Sequence, residues 1–107
     1  LWVVPSDGSG DPRLLAKAPL IQRIIWHPEG RFIAFRNTDP SNETRTIEVV
    51  SLESGAILTV HSLSEELDDI RLNHWSPDGR WIGFSELQGI MEYWVIDNPL
   101  RGGTGDP

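Results

Sequence analysis

The chain contains no cysteine, a single lysine, one methionine and one tyrosine. Without Cys there is no disulfide, no thiolate metal site and no cysteine nucleophile. Basic residues are scarce, nine against sixteen acidic ones, for a net charge of −7 over 107 residues. Such a surface repels phosphates, which argues against general nucleic-acid binding and against adhesion to anionic membranes. Apolar runs stop after a few residues, too short for a membrane-spanning helix. No basic-then-apolar leader opens the sequence, and Leu1-Trp2-Val3-Val4 is strand-like from the first residue. We therefore expect a piece of a longer polypeptide.

What the sequence does contain is repetition. Residues 26–35, Trp-His-Pro-Glu-Gly-Arg-Phe-Ile-Ala-Phe, align with residues 75–84, Trp-Ser-Pro-Asp-Gly-Arg-Trp-Ile-Gly-Phe, at an offset of 49, with six of ten positions identical. A second set, Leu1–Val4, Ile47–Val50 and Tyr93–Ile96, recurs at an offset of 46. A period of this length matches a four-stranded propeller blade. Each Trp-containing run ends in a Pro-acid-Gly turn, after which an apolar run resumes at Phe32 or Trp81. Pro presets φ at the first turn position, the acid tolerates the second, and Gly accepts the positive φ of a bulged hairpin. A third strand follows in each period, then a Gly-bearing turn such as Ser6–Gly10 or Glu53–Gly55, then a fourth strand, Leu14–Ala18 or Ala56–Val60. Phe32, Ile33, Ala34 and Phe35 put apolar groups on both faces of the second strand. Such a sheet must be covered on both sides.

The segment at 75–84, followed by Tyr93-Trp94-Val95-Ile96-Asp97, resembles the WD40-like (PD40) repeat of TolB-type β-propellers. The first hairpin departs from that pattern, with His27-Pro28-Glu29 in place of Ser-Pro-Asp. The resemblance implies an all-β fold, a β-propeller fragment of four-stranded antiparallel blades. Residues 1–18 are expected to supply the last two strands of a preceding blade, 19–61 a first full blade, and 62–107 a second blade lacking its last strand. Similar blades occur in the periplasmic TolB protein, in the propeller domains of prolyl-oligopeptidase-type serine peptidases and in extracellular sensor domains. The resemblance thus favours, without fixing, a bacterial extracytoplasmic location.

Candidate chemistry is sparse. His27, His61 and His74 have no helical zinc spacing. His27 and His74 neighbour the repeated Trp on the strand that approaches a propeller's channel. Of the two, His74 is the candidate channel ligand, and His27 replaces the turn Ser. The run Glu65-Glu66-Leu67-Asp68-Asp69 could attract a cation or a basic partner. The plainer account is a hydrated loop or short helical turn with Leu67 and Ile70 facing inward. Asp7-Gly8-Ser9-Gly10-Asp11 lacks the ligand series and closing Glu of a calcium loop, and a turn accounts for it. No Ser lies in a Gly-x-Ser-x-Gly elbow, and no helix follows the glycines at 101–105 to make a phosphate cradle. Asn42-Glu43-Thr44 matches a glycosylation acceptor, a pattern that arises often by chance. The recurrence of Trp26 with Trp75, and of Trp2 with Trp94, points to packing, since a binding hot spot need not repeat in every blade.

The expectation is a non-catalytic scaffold, without cofactor or metal, that binds a protein partner or small ligand at the rim or channel. The alternative is the gating propeller of a prolyl-oligopeptidase-type serine peptidase whose catalytic domain lies outside this chain. Uncovered blade faces further imply self-association or more blades.

Overall fold

The computed structural model describes residues 1–41, 44–62, 69–88 and 90–97, and these form strands and turns only. Three antiparallel sheets follow one another along the chain. The first is a short pair, β1 (Trp2–Val3) with β2 (Arg13–Leu14). The second is a four-stranded meander of β3 (Ile21–Trp26), β4 (Phe32–Asp39), β5 (Thr44–Ser51) and β6 (Ile57–Ser62). The third comprises β7 (Asp69–Trp75), β8 (Trp81–Gln88) and β9 (Ile90–Asp97).

The two repeated hairpin turns have one backbone shape. Gly30 N donates to His27 O at 2.8 Å and Gly79 N to Ser76 O at 2.8 Å. Across the strand ends, His27 N donates to Phe32 O and Ser76 N to Trp81 O, both at 2.9 Å. Gly30 and Gly79 both sit at φ +73°, the left-handed residue within the four-residue loops 28–31 and 77–80. Side-chain bonding differs between the two. In the second turn, Ser76 Oγ accepts from Trp81 N at 3.0 Å and donates to Asp78 at 2.6 Å. In the first, His27 Nδ1 accepts from Glu29 N at 3.1 Å.

Both faces of the central sheet are covered. Ala34, Ile47 and Val49 pack with Ile70, Leu72, Trp75, Ile82 and Phe84 of the third sheet. Ile33, Phe35 and Val50 pack with Leu15 and Ala16. The register explains the division, since Ala34 pairs with Val49 and Ile33 with Val50, so cross-strand neighbours share a face. The fourth strand of the leading sheet is shorter than Leu14–Ala18. Leu15 N and Ala16 N converge on Leu1 O, at 2.9 and 3.3 Å, and their side chains turn into the core.

The equivalent tryptophans do not share an environment. Trp75 is buried, with its Nε1 donating to Ile25 O at 3.3 Å. Trp26 is 53% exposed and Trp2 63%. Trp75 has the His27 turn to lie against. The two-stranded β1–β2 sheet covers Ile33, Phe35 and Val50 and leaves Trp26 in water.

Candidate functional site at the inner strands

The first strands of the two larger sheets, β3 and β7, lie against each other. Each carries one extra residue at the same point of the repeat. The register slips between Gln22 and Ile25 in β3, and between Leu72 and His74 in β7. A bulge of this kind bends a strand and re-aims its side chains. In β3 it places Arg23 at φ +55°, the one non-glycine with positive φ among the described residues.

The bulges frame a cleft of about 410 Å³, lined by Gln22, Arg23, Arg36, Arg71, Leu72 and Asn73. Its walls are stitched across the sheets. Arg23 Nε donates to Leu72 O at 2.9 Å. Arg36 Nη1 donates to Ile70 O at 2.7 Å, and its Nη2 bonds Gln22 Oε1. Arg71 sits opposite Ser85 in the β7–β8 ladder and is exposed. Three of the eight arginines of a net acidic chain therefore meet at one opening.

The expected site residues fall differently. His74 is exposed on β7, one residue beyond the bulge, and does not line the cleft. Glu65, Glu66 and Asp68 lie outside the described residues, and Asp69 opens β7 opposite Leu87. His27 is 5% exposed, edge-on to Trp75 and Phe32 at centroid distances of 4.8 and 5.6 Å, and so packs the interface between sheets. Asp7 bonds Ser9 N at 2.9 Å, and Gly8 N donates to Pro5 O at 3.2 Å, which makes that loop a hydrogen-bonded turn. Among the described residues no three His, Asp or Glu side chains converge as metal ligands would.

Two features escaped the sequence reading. His61 Nε2 meets Glu86 Oε1 at 2.8 Å, with the imidazole tilted over Phe84 at 4.5 Å. This pair joins β6 to β8 and gives the buried Glu86 carboxylate a hydrogen-bond partner. The arginine cleft is the other. Arg36 reaches it through its ladder position opposite Gln22, and Arg23 and Arg71 through the packing of β3 against β7 next to their bulges.

Antiparallel sheets of this connectivity, stacked face to face with their first strands adjacent, are blades of a β-propeller. Their fold is similar to that of TolB-type propellers. A TolB-designated protein of Agrobacterium tumefaciens superposes with a TM-score of 0.69 and 25% identity over 96% of this chain and 35% of its own. The β-propeller domain of the Trilobed protease from Pyrococcus furiosus, described as having an open velcro topology, superposes with a TM-score of 0.58 and 16% identity over 73% of this chain and 25% of its own. The second likeness is one of fold. The chain spans about a third of the first protein and a quarter of the second. No protein-family model matches the sequence, and no curated protein matches it.

Proposed function

We propose that these blades act as a non-catalytic binding scaffold, and that a protein partner or small ligand docks at the cleft where β3 meets β7. The observation that carries this reading is a polar opening built from both blades at the strands that line a propeller's channel. Its side chains are held by bonds from one blade to the backbone of the next, so the opening is pre-shaped. A second reading, a propeller that filters substrates for a peptidase domain outside this chain, draws on the likeness to the protease propeller.

Mapping backbone amide shifts by NMR against a panel of small polar probes tests the scaffold reading. Perturbations are expected at Gln22, Arg23, Leu72 and Asn73. Responses confined to the outer strands β6 and β9, or hydrolysis of ester or peptide probes by the chain itself, would overturn it.

A further inference from the structure

Resting on the scaffold reading, and deepening it, we infer that the cleft between β3 and β7 recognises a carboxylate, gripped by Arg23 and Arg71 from the two blades. Four observations lead there.

First, the arginines have different duties. Arg36 is spent on structure, tied to Ile70 O and to Gln22. Arg23 uses its Nε on Leu72 O, which ties one edge of the guanidinium to the neighbouring blade while the residue lines the cleft. Arg71 makes no hydrogen bond or ion pair with a described residue. Second, the bulge that delivers Arg23 holds it at φ +55°. A side chain is rarely kept in that region without local compensation, and such residues gather at ligand clamps. Third, the planar guanidinium fork fits a two-oxygen anion, and such charge-assisted bonds are the strong ones. Fourth, the chain's own charge of −7 selects among anions. Long-range repulsion grows with ligand charge, so a single carboxylate is opposed about half as strongly as a phosphate dianion. The amides of Gln22 and Asn73, equivalent in neither sequence nor repeat position, line the same opening. They offer donors and acceptors to whatever carries the carboxylate. A cleft of about 410 Å³ is of small-molecule or single-side-chain size.

The carboxylate has two sources, a free small acid or the acidic side chain of a partner. Titrating the full chain with glutarate, a triglutamate peptide, glutaramide and inorganic phosphate separates them, with amide shifts of Gln22, Arg23 and Asn73 as the readout. Glutarate or the peptide should move these amides while neutral glutaramide does not, and the tighter of the two names the source. Arg71→Gln should weaken binding about tenfold, the loss of one charge-assisted bond. Arg71→Lys, which keeps the charge and loses the fork, should recover only part of it. Arg31→Gln, at the opposite end of the hairpin, should change nothing. Arg71 is exposed, so its variants leave the fold intact, and unchanged amide dispersion verifies that. Glutaramide binding as well as glutarate, phosphate binding tighter than either carboxylate, or an undiminished affinity in Arg71→Gln would each overturn the carboxylate assignment while leaving the scaffold reading standing. Silence of the cleft amides toward every probe would overturn both.

Discussion

Glycine 79 shows how much one residue can carry. Its φ of +73° is one a side chain adopts at a cost, and a methyl on its Cα would overlap Nε2 and Cε1 of the buried His27 ring. Gly30 has the same φ with nothing within 4 Å of such a methyl. Conformational strain alone should cost Gly30→Ala about 1 kcal/mol, whereas Gly79→Ala adds overpacking and should cost roughly 2–4 kcal/mol. Urea unfolding of both variants measures the difference, and equal losses would contradict the turn-to-ring contact. The need for Gly at 79 was legible in the Pro-Asp-Gly turn. The His27 ring waiting beside it was not, because a one-dimensional repeat does not tell which turn faces which.

Asp78 adds a pH dependence at the same scale. The Ser76 hydroxyl, then the Arg80 amide and the Arg80 charge, hold its carboxyl below the ordinary carboxylate value. A carboxyl lowered in the folded state contributes stability above its unfolded pKa, and that contribution disappears as pH falls through the folded one. Wild type should therefore lose stability more steeply than Asp78→Asn as pH falls below about 4, the ordinary carboxylate value. The group is fully exposed, so the effect is small. Parallel curves in urea midpoint against pH would count against it.

Hairpins were the most readable elements. The Pro-acid-Gly turns, the two-faced apolar pattern of β4 and the four-strand order of the central blade all followed from local chemistry that acts within a few residues. The bulges in β3 and β7 did not, since an extra residue in one strand depends on its partner's register and leaves no mark such as a glycine in Gln22-Arg23-Ile24-Ile25. With the bulges unseen, the arginine cleft was invisible too, and attention fell on His74 and the acidic run. His27 illustrates the same limit. As a turn residue it replaces Ser, yet its ring also fills the space between blades against Trp75 and Phe32. His27→Ser should restore a Ser76-like turn and still lower stability by roughly 2 kcal/mol, through lost aromatic contact and a cavity. Thermal unfolding checks the sign. A neutral or stabilising result would mean that the turn bond, and not the ring, is what matters.

For the molecule as a whole, what is covered and what is not follows the blade order. The faces between sheets are buried, while Trp2, Val4, Ile24, Trp26 and Val95 remain exposed. Blades need neighbours on both sides, and apolar area of this extent promotes association. Light scattering should show the 107-residue chain associating as its concentration rises. A folded species that stays monomeric throughout would contradict this. The account rests above all on one blade's turn packing against the next blade's turn, 49 residues along the chain. A double-mutant cycle between His27→Ser and Gly79→Ala tests that contact most directly. If the ring is what the new methyl strikes, Gly79→Ala should cost about 1 kcal/mol less, or better, in the His27→Ser background. Strict additivity of the two substitutions would show that the turns do not touch, and the stacked-blade account would fail with them.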